Sequence, residues 1–231
     1  MAIVDLHRDG GRAAGVLVAG RPGLLDKSRV ENVKLEDGRA SFRLAGGGIA
    51  MTFDGTLAAE GPNAGAVLGT VDLGAVIFPA RLERTADERL GPTKTVALGQ
   101  DYNAARSDAD PSSAIEKFRK LIEKNSGDPI NYIFHEAILQ RAQAASLPVA
   151  KVEASIASWR REAAPYGPIW STEVAKMALA ALNGQKDYAG TALALAKEVD
   201  ASLPADATAD ARVQVLKLLA AAARNAGQPD A

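Results

Sequence analysis

Residues 110–145, DPSSAIEKFRKLIEKNSGDPINYIFHEAILQRAQAA, carry the strongest constraint on how this chain folds. Ala114, Ile115, Phe118, Leu121 and Ile122 recur at helical spacing, and Ile130, Ile133, Phe134, Ala137 and Ile138 repeat the pattern after a short break. Two one-sided helices a few residues apart must bury their stripes on each other and on further helices. Asp110-Pro111 supplies an N-cap with proline at the first helical position, and Asn125-Ser126-Gly127 supplies a stop. Asp128-Pro129 reads as the start of the next helix in the same way.

Four more helices follow in this style. Ser146-Leu147-Pro148 opens one bearing Val152, Ile156 and Trp159, and the corner Pro165-Tyr166-Gly167-Pro168 leads into another with Ile169, Trp170, Val174, Met177 and Leu182. A fifth, from about Asp187 to Val199, carries Tyr188, Leu193 and Leu195, and a sixth presents Val213, Leu216, Leu219 and Ala223 on one side. Short connections make these three antiparallel pairs, the unit of an α-solenoid.

The first part of the chain has a different period. Val4 and Leu6 alternate with Asp5 and His7 before a turn at Gly10-Gly11; Val33 and Leu35 run into Asp37-Gly38, and Ala40, Phe42 and Leu44 return. An Asp-Gly pair between two alternating runs signals a hairpin, because both central residues need positive φ. Gly46, Gly47 and Gly48 make another turn, Ile49, Met51 and Phe53 form a strand that breaks near Asp54-Gly55, and Val67 to Val71 and Val76 to Leu82 supply two more. The expected fold class is α+β with segregated domains. Residues 1–86 form an antiparallel, barrel-like β-meander, 87–98 with Gly91-Pro92 form a linker, and 99–231 form the helical domain. The first strand begins near Met1 and residues 225–231 resemble a turn before one more helix, as expected of a piece of something larger.

Composition narrows the chemistry. With 27 basic and 28 acidic residues the chain has no nucleic-acid footprint, and with no cysteine it has neither thiolate nucleophile nor zinc–sulfur site. No apolar run approaches the ~18 residues of a membrane span. The two histidines, His7 and His135, stand outside any hydrolase, phosphate-binding or dinucleotide motif, and His135-Glu136 lacks the second histidine of a zinc peptidase, since Leu139 occupies its place. No catalytic residue, cofactor or metal ligand is assigned. Trp159, Arg160, Arg161, Tyr166 and Trp170 form the candidate partner surface. Phe42, Phe53 and Phe78 are the candidate interior of the β-domain, where a small apolar ligand is the alternative to a packed core.

Two segments resemble known families. AIEKFRKLIEKNSGDP and NGQKDYAGTALALAKEV look like second helices of tetratricopeptide repeats, with Ala114, Phe118, Tyr188, Ala192 and Ala196 at packing positions, although they do not stand a whole number of repeats apart. Phe53, Gly55, Leu57, Gly69, Pro79, Leu82 and Arg84 resemble the small β-domain found beside bacterial secreted hydrolases and thioredoxin-like proteins. APYGPIWSTEVAKMALAAL and ADARVQVLKLLAAAARNAG look like the segment preceding the catalytic domain of large bacterial thioredoxin-family proteins. The resemblance implies an extracytoplasmic parent with a cysteine-containing redox domain after residue 231, to which this chain contributes a non-catalytic, protein-binding region.

Overall fold

A computed structural model describes residues 1–46, 48–74, 76–90, 95–203, 205 and 208–228. Gly47, the Gly91-Pro92 part of the linker and residues 229–231 of the closing turn lie outside the described residues. Seven strands come first: β1 (Ala2–Asp9), β2 (Arg12–Gly20), β3 (Arg29–Glu36), β4 (Arg39–Gly46), β5 (Ile49–Leu57), β6 (Val67–Asp72) and β7 (Ile77–Leu82). Seven helices follow: α1 (Thr95–Arg106), α2 (Pro111–Lys124), α3 (Asn131–Arg141), α4 (Val149–Ala163), α5 (Pro168–Leu182), α6 (Ala189–Ala201) and α7 (Ala209–Asn225). The class is α+β, with strands and helices segregated along the chain.

The chain divides into two compact units. One is Met1–Leu98 with the short segments Gly127–Pro129 and Ala164–Trp170; the other is Gly99–Ser126, Ile130–Ala163 and Ser171–Ala231. In the first, β1 and β2 form one antiparallel sheet and β3-β4-β5-β6-β7 another, each strand next to its neighbour in sequence. Asp37 and Gly38 take φ of 44° and 75° in the β3–β4 turn, the positive values that an Asp-Gly hairpin demands. Phe42, Phe53, Leu44 and Ala40 form the core, with Val4, Leu6 and Leu17 from the two-stranded sheet packed on it.

Two expectations are corrected. Among the described residues the strands form two sheets and not a closed barrel. Asn32 holds φ 53° where the β3–β4 register shifts, an irregularity that bends β3 locally. Asp54-Gly55 is also no break: β5 runs unbroken from Ile49 to Leu57. Asp54 is held on the sheet surface by Arg39, whose Nε donates to Oδ1 at 2.7 Å. Gly55 pairs directly with Gly69 of β6. A Cβ on Gly69 would lie 1.9 Å from the Asp54 carbonyl oxygen, and one on Gly55 would lie 2.6 Å from that of Leu68. Glycine here permits close backbone approach, not a turn.

In the helical unit Asp110 caps α2 as expected, accepting from the Ser112 amide at 3.0 Å. Asp108 reinforces that start by accepting from Ser113 Oγ, Lys117 Nζ and the Asp110 amide, which hold its carboxyl down at about 2. Helix α3 differs: Ile130 occupies its N-cap position with no side-chain cap bond. Helix α1 is additional to the six read from sequence. Its Tyr102 ring lies 5.7 Å from Phe118 and 6.2 Å from Phe134, and Ala105 is fully buried, so among the described side chains a ring and a methyl group do packing that a longer stripe would announce.

Helix α7 meets expectation only in part, since Ala223 is buried and Leu219 half-buried but Val213 and Leu216, expected beside them, are not covered. Val215, Ala222 and Ala223 are buried, whereas Val213 and Leu216 are 46% and 54% exposed. Val215 packs with Ala175 and Val199, and that partner surface decides which side of α7 is covered. Two polar bridges cross the unit. Gln185 Nε2 donates to the carbonyls of Leu139 at 2.9 Å and Ala181 at 2.6 Å, while its Oε1 accepts from the Gln143 amide at 3.0 Å. The buried Tyr188 hydroxyl donates to the Leu147 carbonyl at 2.7 Å.

The Gly55–Gly69 contact yields a direct test. Gly69→Ala forces β5 and β6 apart and costs about 1–3 kcal/mol, as overpacking does. Urea unfolding measures it, and the same substitution at Gly23, where a Cβ meets nothing within 4 Å but φ is +72°, isolates the cost of backbone strain alone.

Candidate functional site

The site with the most chemical content lies among α2, α3 and α4, entirely within the helical unit. The three helices enclose an open groove of about 470 Å³. Its lining follows helical spacing: Arg119, Ile122, Glu123 and Ser126 from α2 and the residues after it, His135 and Ile138 from α3, and Lys151, Ser155, Ser158 and Glu162 from α4.

Asn131 and His135 stand one turn apart at the start of α3, both buried. The Asn131 amide nitrogen reaches the Asn125 carbonyl at 3.0 Å, the Ile122 carbonyl at 3.4 Å and Glu162 Oε2 at 3.1 Å. The His135 ring stacks on Trp159 with centroids 5.7 Å apart and planes 7° from parallel. Its Nε2 lies 3.3 Å from Glu162 Oε1, close enough for an ion pair. Nε2 makes no hydrogen bond, and Asn131 Oδ1 and Trp159 Nε1 are likewise buried without a hydrogen-bond partner.

Burial acts on the Glu162 carboxyl by raising its pKa, but His135, the Asn131 amide and the charge of Arg161 outweigh that and bring it below the ordinary glutamate value. Glu162 is therefore ionised at neutral pH. Glu136, the sequence neighbour of His135, plays no part: it accepts from Gln140 at 3.1 Å, and burial pushes its pKa up. Among the described residues no group of three or more His, Asp or Glu is arranged to hold a metal, and no helix is long and apolar enough to cross a membrane.

The other residues singled out from sequence fall as follows. Trp159, Arg160 and Arg161 belong to the helical unit and Tyr166 and Trp170 to the other. All three aromatics are buried, with exposures of 1%, 7% and 2% for Trp159, Tyr166 and Trp170. Each unit thus uses these rings as core, and only the arginines reach solvent; Arg160 pairs with Glu198 at 2.5 Å. Tyr166 donates to the Gly127 carbonyl at 3.1 Å, which also accepts from Asn63 at 3.1 Å and Arg81 at 3.3 Å. Phe42 and Phe53 stack at 5.4 Å and are buried in the sheet core, while Phe78 is half-buried near the start of β7. His7 and Asp5 approach to 3.5 Å on an exposed strand face.

Sequence reading isolates His135 but not its partners. Asn131 had a signal, a second polar residue one turn before His135 on a face otherwise apolar. Glu162 had none, because it arrives from a helix 27 residues further on in chain order. Compared with known protein families, with curated proteins and with solved structures, the chain matches none.

The lowered pKa of Glu162 fixes the sign of a pH effect. A carboxyl depressed by folding adds stability above its ordinary pKa, and that contribution disappears as pH falls through the folded value. The stability difference between wild type and Glu162→Gln is therefore largest near neutrality and shrinks on acidification. Paired urea titrations at pH 7 and pH 3 measure it; a pH-independent difference excludes ionisation as the cause.

Proposed function

We propose that this chain is a non-catalytic accessory region working through protein–protein contacts, with its tetratricopeptide-like helical unit as the binding scaffold, inside a larger extracytoplasmic protein of the thioredoxin type. The observation that carries the reading is the open groove among α2, α3 and α4, walled by helix faces and lined by charged and hydroxyl side chains instead of a closed apolar seam. Helical pairs that leave such a concave surface serve extended recognition in repeat proteins generally. The sheet core supports an accessory role for the β-domain, since Phe42 and Phe53 fill its interior against each other.

The parent supplies the redox chemistry in this reading, because the chain has no cysteine of its own. Extending the reading frame past residue 231 is expected to reveal a Cys-x-x-Cys motif, and the extended protein is expected to reduce insulin disulfides while this chain alone does not. Turnover of a disulfide, ester or peptide substrate by the isolated chain overturns the proposal.

A further inference from the structure

The groove is polarised along its length. Asn131, at the start of α3, bonds to the Ile122 and Asn125 carbonyls at the end of α2 and to Glu162 at the end of α4, so these two ends lie level and α2 and α4 run parallel. Glu162 and Glu123 therefore line the end of the groove nearest the helix C-termini. Lys151 lies eleven positions before Glu162 on the same face of α4, about 16 Å away at 1.5 Å per residue. Arg119 sits towards the Lys151 end, but its charge is already met by Glu116. Among the described residues neither Lys151 nor Glu123 has an ion-pair partner, and both are exposed.

Between the charged ends, His135 lines the wall, its buried Nε2 3.3 Å from Glu162 Oε1. Ser155 and Ser158 add hydroxyls along α4, and Ile138 gives a short apolar floor.

We propose that this groove binds an extended segment of a partner protein carrying one acidic and one basic side chain about four residues apart, the acid on Lys151 and the base on Glu123. Extended chain advances about 3.3 Å per residue, so an even spacing of four puts both side chains on one side and brings their heads within reach of the two ends. A segment of uniform charge meets its own sign at one end. This assignment rests on the scaffold reading of the helical unit and names the chemistry that the scaffold selects.

Three fluorescent decapeptides of equal length test it by anisotropy on the whole chain: one with Glu and Lys four residues apart, one with two Glu and one with two Lys at those positions. Wild type is expected to bind the mixed peptide about tenfold more tightly than either uniform one. Lys151→Glu is expected to shift the preference to the two-Lys peptide, and Glu123→Lys towards the two-Glu peptide. These are gains of binding that an unfolded variant cannot produce. In NMR spectra, the His135 ring resonances are expected to move on binding while those of His7 stay in place. Equal binding of all three peptides, or a ranking unchanged by Lys151→Glu, overturns the groove assignment. That failure alone leaves the scaffold reading standing, whereas catalytic turnover by the chain removes the scaffold reading whatever the peptides do.

Discussion

The buried amide of Asn131 is the interaction on which the helical unit most depends. A single side chain here meets two carbonyls at the end of α2, Ile122 and Asn125, while also holding a carboxylate on α4. Three helices are thereby set level at one end. Their faces then diverge into a groove instead of closing into a seam, and the Glu162 carboxylate is kept ionised beside an imidazole stacked on indole. The arrangement carries a cost, since Asn131 Oδ1, His135 Nε2 and Trp159 Nε1 all lack hydrogen-bond partners. Such costs in a protein interior commonly mark places where structure is shaped by something beyond stability.

The β-unit solves a different problem. Its apolar face is narrow, so two sheets share one core around Phe42 and Phe53. Backbone proximity between β5 and β6 replaces side-chain bulk where two glycines face each other. Proline at position 79 sits in β7, the outermost strand of its sheet, where a missing amide costs least. The single carbonyl of Gly127 accepts from Asn63, Arg81 and Tyr166, so one short loop segment is fastened by three donors.

Period alone made most of the architecture legible. Alternation marked the strands, and recurrence at three and four positions marked six of seven helices. Helix α1 escaped because, among the described side chains, its packing rests on the Tyr102 ring and the Ala105 methyl group rather than on a stripe. Position 55 was misread because glycine after aspartate looks alike whether it turns the chain or admits a neighbouring backbone. On α7 the buried side was legible at Ala223 but not at Val215 or Ala222, because Val213 and Leu216 stand out in apparent hydrophobicity while close helix packing favours small residues. The candidate groove was nearly invisible. His135 stood out by rarity, but its carboxylate comes from another helix, and proximity of that kind is written only in the tertiary fold.

Gln185 has a consequence for how the helical unit comes apart. Repeat arrays usually lose their units one at a time, because each touches only its neighbours. Here one side chain accepts from the Gln143 amide just after α3 and donates to carbonyls at Leu139 and Ala181, joining positions more than forty residues apart. Helix α5 cannot peel away without breaking these bonds to the end of α3. The stretch from α3 to α5 is thereby bound into one cooperative block, with its backbone amides opening to solvent together and not pair by pair.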